Sequence, residues 1–139
     1  MRVAIAVPLE PELVERIRSA EPSLEVLWDP ELLPPARYPG DHSGPPDFRR
    51  SAEQDRRWQE ALASAEVLFG FPDGAATELG SLLERSSAVR WVQAMAAGAG
   101  EQVRAAQLEP AVLERVIITT ASGVHAIPLA EFCLLGLLA

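Results

Sequence analysis

Val89-Arg90-Trp91-Val92-Gln93-Ala94-Met95-Ala96-Ala97-Gly98-Ala99-Gly100-Glu101-Gln102-Val103 reads as a strand, a loop of small residues and the opening of a helix. The same unit recurs on either side of it. Upstream, residues 66–69 form an expected third strand, residues 70–74 a loop, and residues 75–85 a helix that turns Leu79, Leu82 and Leu83 inward. Downstream, residues 116–119 are the fifth strand, followed by a loop to His125 and a last helix from about Ile127. Nearer the start, residues 2–7 are continuous in Val, Ile and Ala, the pattern of a strand buried on both faces. Pro11 suits a first helical position, and Leu13, Val14 and Ile17 then line one face up to Ala20. Pro22 ends that helix, and residues 24–28 are the second strand.

Five strands alternating with helices predict a parallel α/β sheet, doubly wound by right-handed crossovers into three layers. The strand order expected is the flavodoxin-like one. Ligands of such sheets sit beyond the carboxyl ends of the strands. Three loops therefore matter: residues 70–74, 95–100 and 120–125. Between Asp29 and Arg50 the alternation fails, with prolines at 30, 34, 35, 39, 45 and 46, and a long excursion along one edge is expected. Regular structure resumes at Ser51 and Gln54, which have capping-box spacing, and Trp58, Leu62 and Ala65 share the inner face of the next helix.

The 139 residues suit a single domain. Hydrophobic residues make up 48% and charged residues 23%, which excludes disorder and collagen-like repeats. Twenty acidic against twelve basic residues give a net charge of −8, and every basic residue is arginine. With no basic run, neither nucleic acid nor an anionic membrane is an expected partner. One cysteine permits no internal disulfide, and no Cys/His set has zinc spacing. The longest apolar stretch, residues 132–139, is far below the ~20 residues that span a bilayer. A cytoplasmic setting is expected. That stretch is apolar on every face and stops without a cap, so the chain reads as a fragment of something longer or as a subunit whose last helix docks on a partner.

Gly98-Ala99-Gly100-Glu101-Gln102-Val103 has the position of a dinucleotide fingerprint, but Val103 replaces the third glycine. About 20 residues on stand Ile118 and Thr119 in place of an acid for the ribose. What remains is either a loop that lets an anion approach backbone N–H groups or a plain tight turn. A phospho-receiver domain needs acids after the first strand and a lysine after the fifth; this chain has no lysine. His125 either hydrogen-bonds a ligand or shuttles protons at the ligand end of the sheet, or it bonds locally at a helix start. His42, in the proline-rich loop, is expected in solvent. Cys133 is expected as a small core residue, because no basic neighbour lowers its pKa. Trp91 and Met95 read as core, and Glu131 either reaches water or makes an interdomain bond.

Two segments together carry a family resemblance. Residues 89–100 are similar to the "LkWvqs-x-aGvd" segment of D-isomer-specific 2-hydroxyacid dehydrogenases. Val116-Ile117-Ile118-Thr119-Thr120-Ala121-Ser122-Gly123-Val124-His125-Ala126-Ile127-Pro128-Leu129-Ala130-Glu131-Phe132 resembles their "vtna-x-Gvh…AE" segment. Ala65-Glu66-Val67-Leu68-Phe69-Gly70 resembles their "adaevllg" strand. The match covers the second half of the chain in order and spacing; the first half matches in layout alone. Gly100 departs from the family's usual aspartate.

The resemblance implies a flavodoxin-like substrate domain over residues 1–126. It makes residues 127–139 the start of a crossover helix into a separate NAD- or NADP-binding domain. The glycine fingerprint and the catalytic Arg, Glu and His belong to that other domain, so this chain carries no catalytic residue of its own and is expected to bind no nicotinamide. It also implies a carboxylate cradle at Ala97, Gly98 and Ala99, with Phe71, Pro72 and His125 as further substrate contacts. Leu129 stands near the nicotinamide. The partners implied are a small 2-hydroxy or 2-keto acid and, for the full-length protein, a second copy in a homodimer. The competing expectation is a non-catalytic α/β module that binds a small acid or docks on another protein through its apolar last helix.

Overall fold

The computed structural model describes all 139 residues, Met1–Ala139. Five parallel strands form one sheet: β1 (Arg2–Ile5), β2 (Glu25–Leu27), β3 (Val67–Phe69), β4 (Trp91–Gln93) and β5 (Ile117–Thr119). Their order is β2-β1-β3-β4-β5, the flavodoxin-like order that the alternation of elements predicts. Six helices connect and follow the strands: α1 (Pro11–Ala20), α2 (Ala52–Ser64), α3 (Ala76–Arg85), α4 (Gly100–Ala105), α5 (Pro110–Arg115) and α6 (Ala126–Leu138). The chain leaves β1 in one direction to β2 and then recrosses it to β3, so the switch point lies between β1 and β3. The ladders are shorter than the apolar runs, yet pairing continues one residue beyond them. Ala6 N–H donates to the Phe69 carbonyl, Gly70 N–H to that of Gln93 and Ala94 N–H to that of Thr119, each at 2.8 Å.

The two faces of the sheet are covered unequally. On one, Trp58 and Leu62 of α2 and Leu79, Leu82 and Leu83 of α3 pack with Ala4, Leu68 and Val92 into the main core. Ser51 and Gln54 close a full capping box at the start of α2, as their spacing predicts. On the other face α1 places Ile17 against a small cluster of Val3, Ile5 and Val67. Helix α5 is an addition that sequence periodicity does not reveal. Arg115 at its end donates to the Val89 carbonyl at 2.9 Å and also reaches that of Leu83, tying α5 to the elements around it.

Residues 29–50 follow the edge strand β2 and pack onto the domain. One turn of 3-10 helix, Pro30–Leu32, sets Leu32 and Leu33 into the main core. The remainder folds against the segment that follows β1. Gly40 N–H donates to the Glu10 carboxylate at 2.8 Å, and the His42 Nδ1 lies 3.0 Å from the Pro8 carbonyl. Asp41 organises this fold-back and is only 4% exposed. Its carboxylate accepts from Arg37 Nε at 2.7 Å, from Arg37 Nη2 at 3.1 Å and from the backbone N–H groups of Arg37, Ser43 and Gly44. The Arg37 guanidinium, helped by these amides and opposed by burial, holds the Asp41 carboxyl far below the usual carboxylate range.

Gly70 is required where β3 ends. Its φ is +91°, and a Cβ there would sit 2.4 Å from Val7 Cγ1, so the chain can turn beside β1 only without a side chain. The apolar α6 is exposed along its whole length, Cys133 included. The expectation of a buried cysteine is thereby corrected, because α6 packs on nothing in the chain. Trp91, expected in the core, is 40% exposed for the related reason that no helix covers its side of β4. No helix is long and apolar enough to cross a membrane.

Leu68 is fully buried between the main-core helices, so Leu68→Ala should cost about 2–5 kcal/mol of unfolding free energy in urea titrations. A second test concerns Asp41, whose carboxyl has a lower pKa folded than unfolded. Its stabilising contribution is complete above the unfolded value of about 4 and is lost as the pH falls through that range toward the folded value. Asp41→Asn should lower Tm at pH 7 and flatten the fall of Tm between pH 5 and pH 2 relative to wild type. Parallel Tm–pH curves for the two proteins would contradict the pivotal role of this carboxylate.

Candidate functional site

Beyond the carboxyl ends of β1, β3 and β4 lies a cavity of about 280 Å3 that is open to solvent. Val7 reaches it from the end of β1, and His42 and Ser43 from the folded-back excursion. Phe71 and Gly74 come from the loop after β3, Ala94, Met95 and Ala96 from the loop after β4, and Gln102 from α4. Local chemistry sets each wall. The turn Pro72–Gly74 carries Asp73 at φ +53°, a conformation that non-glycine residues seldom adopt. A two-pronged bond steadies it, Arg50 Nη2 and Nη1 donating to the two Asp73 oxygens at 2.7 and 3.1 Å. The same arginine lies over the Trp58 ring, 4.4 Å from its centroid, and donates from Nε to the Leu32 carbonyl at 2.6 Å. One side chain thus links the excursion, α2 and the loop after β3.

The fold-back brings His42 to this cavity, and the expectation of a solvated His42 is corrected on that account. A carbonyl can only accept, so the bond to Pro8 places the proton on Nδ1 and leaves Nε2 free for a ligand. Glu10, two residues beyond Pro8, has its carboxyl held below the ordinary range, first by the Gly40 N–H and then by its own backbone N–H.

The loop after β4 forms the other wall. The Ala96 carbonyl accepts from Ala121 N–H at 3.3 Å, fastening this loop to the one after β5, while the N–H groups of Ala96, Ala97 and Gly98 donate to no backbone carbonyl. Ala97 and Gly98 are exposed. A Cβ built at Gly98 meets nothing within 4 Å, so open space lies above this backbone.

Of the residues that the sequence singles out, Phe71 lines the cavity, and Ala97 and Gly98 continue directly from its wall at Ala96. Pro72 is fully buried behind Phe71, where it shapes the turn. Ala99 is also fully buried, backbone included, and its carbonyl accepts from Val103 N–H, so it offers no contact to a ligand. His125 and Leu129 are exposed at the start and on the side of α6, outside the cavity, and His125 makes no capping bond. His42, Ser43 and Gln102 are the polar side chains that sequence reasoning missed. His42 is set by a contact 34 residues away, which no local pattern announces.

The arrangement offers neutral donors at a volume that suits a small acid, namely the Ala96 amide with those of Ala97 and Gly98 beside it, a hydroxyl and a carboxamide, and it adds the His42 Nε2 as an acceptor. No group of three or more His, Cys, Asp or Glu residues comes together to hold a metal ion. The residues at the Gly98–Val103 turn do not fit a dinucleotide either, since α4 is only six residues long and its third-glycine position is Val103. No protein-family model, no curated protein and no solved structure matches this chain.

Proposed function

We propose that this chain is the acid-binding domain of a nicotinamide-dependent D-2-hydroxyacid dehydrogenase. The observation that carries the proposal is the row of free N–H groups at Ala96, Ala97 and Gly98, beside a cavity of small-acid size at the switch point of the sheet. In this reading the carboxylate of a 2-hydroxy or 2-keto acid accepts from those amides, and its second carbon points into the cavity toward His42, Ser43 and Gln102. A carboxylate can be held here without a cation, since several oriented N–H donors at one backbone turn make an anion-binding concavity. The reaction, transfer of a hydride between the second carbon of the acid and a nicotinamide, requires a nucleotide-binding domain outside these 139 residues. The residues present contribute binding and orientation of the acid, which is how such a domain lowers the barrier.

A second reading, a non-catalytic module that docks through its last helix, is favoured by the exposure of α6 on every face. The two readings part at the cavity, because a purely docking module has no need of free amides there.

Calorimetric titration of the chain with oxalate and pyruvate, with acetate as control, tests the proposal. Binding of the two-carbonyl acids in the millimolar range or tighter is expected, which corresponds to about −4 kcal/mol or more. Gly98 has an ordinary negative-φ backbone and open space above it, so Gly98→Val should fold normally and place its methyl groups where the acid approaches. Losing one or two charge-assisted hydrogen bonds, each worth roughly 1.5–3 kcal/mol, should weaken binding tens- to hundreds-fold. A valine variant that binds oxalate as wild type does, or a wild type that binds no 2-keto acid, would overturn the assignment.

A further inference from the structure

The cavity at the switch point of the sheet is continuous with the face that carries α1. Over that face opens a groove of about 550 Å3, and Ala94 and Met95 line both the groove and the cavity. A further space of about 460 Å3 lies between them. It meets the cavity at His42 and Met95, and it meets the groove at Ile17, Phe69 and Met95. Leu9 and Leu13 add apolar wall, and Arg16, its one residue of fixed charge, is exposed. Met95 borders all three spaces and is half-buried. A thioether chain is unbranched and adapts to irregular surroundings, so this residue can line one path through all three.

Polarity falls off along that path. At the cavity end stand the Ala96 amide, Ser43, Gln102 and the Nε2 of His42. At the groove end no charged side chain lines the wall, and the few polar groups are spent on one another. Trp91 Nε1 donates to Thr119 Oγ1, Thr119 Oγ1 to Gln93 Oε1, and Gln93 Nε2 to the Ala94 carbonyl, at 2.7, 2.7 and 2.8 Å. Water gains little from such a floor, and a hydrocarbon loses nothing there. A few polar groups at one end of a mostly apolar concavity fix the orientation of a ligand that is itself polar at one end.

We infer that the acid taken by this domain carries an unbranched apolar tail of several carbons, as a long-chain 2-hydroxy or 2-keto acid does. Its carboxylate lies at the amides of Ala96, Ala97 and Gly98. Its tail passes His42 and Met95, follows Leu13 and Ile17 of α1, and crosses Phe69 into the groove. The path turns from the end of the sheet onto its face, so a flexible chain follows it where a rigid ring system would not. The shared walls at Met95, His42 and Ile17 are what join this occupant to the groove. The inference rests on the acid-binding reading and adds to it the class of side chain that the acid bears.

Calorimetric titration of the chain with pyruvate, 2-oxohexanoate and 2-oxooctanoate tests it, with 1-octanol as a tail that has no acid. Full burial of a methylene is worth about fourfold in affinity, and a groove open on one side about twofold. From pyruvate to 2-oxooctanoate, affinity should therefore rise roughly thirtyfold. Ile17→Gln keeps a good helix former in α1 and puts an amide in the path. It should weaken 2-oxooctanoate about fivefold and leave pyruvate unchanged, and Leu13→Gln, at an exposed position, should act in the same direction. Isotope-filtered nuclear Overhauser spectra of the wild type should place the terminal methyl of 2-oxooctanoate against Ile17 and Phe69. Affinity that stays flat or falls with chain length, while Gly98→Val still weakens pyruvate, overturns this inference and leaves the acid-binding reading standing. Failure to bind any of the three keto acids overturns both. Octanol bound as tightly as 2-oxooctanoate, or a tail methyl found against α6, also overturns the inference.

Discussion

Asp41 accepts five hydrogen bonds inside a segment with no regular structure, and the rest of the site depends on them. A carboxylate taken out of water destabilises the fold unless a partner and several donors replace the solvent. Here Arg37 supplies the countercharge and three backbone amides complete the shell. The result is a tight fold-back in residues 37–44, held to the segment after β1 through Glu10 and Pro8. His42 is the next residue along. Without that anchor the imidazole has no fixed place, and the cavity loses the wall it shares with Ser43.

A second constraint comes from the sheet itself. The chain reverses direction between β1 and β3, and that reversal opens a crevice at the carboxyl ends of those strands. Gly70 lets the loop after β3 pass within contact of Val7, and Arg50 then fixes Asp73 and the excursion together. The crevice is therefore bounded by three segments distant in sequence. The opposite constraint applies on the α1 face, where one helix cannot cover five strands and an apolar groove remains. The chain thus has a small polar cavity at one end of the sheet and a dry groove on one side of it, with Met95 bordering both.

The strands and the main helices were legible in the sequence because their signals are local. A continuous apolar run marked β1, Ser51 and Gln54 marked the start of α2, and Leu79, Leu82 and Leu83 marked the inner face of α3. Helix α5 escaped because six residues beginning at Pro110 show too little of a 3.6-residue period. Of the site, the Phe71 wall and the loop through Gly98 were legible, since both follow strands directly. His42 and Gln102 were not: the position of an imidazole in an irregular segment is decided by Asp41 and Pro8, and neither contact leaves a periodic trace. Cys133 misled for another reason. An apolar neighbourhood in sequence implies burial somewhere, and in this chain α6 lies away from the core.

The central claim is that the amides of Ala96, Ala97 and Gly98 and the imidazole of His42 face one small acid. Backbone and imidazole nitrogen–proton correlation spectra of the 15N-labelled chain, recorded during titration with pyruvate, address it most directly. The account predicts saturable shifts of the Ala96, Ala97 and Gly98 amides and of His42 Nε2, all following one binding curve, with His125 unmoved. Shifts confined to His125 and the start of α6, or a spectrum unchanged at saturating acid, would contradict it.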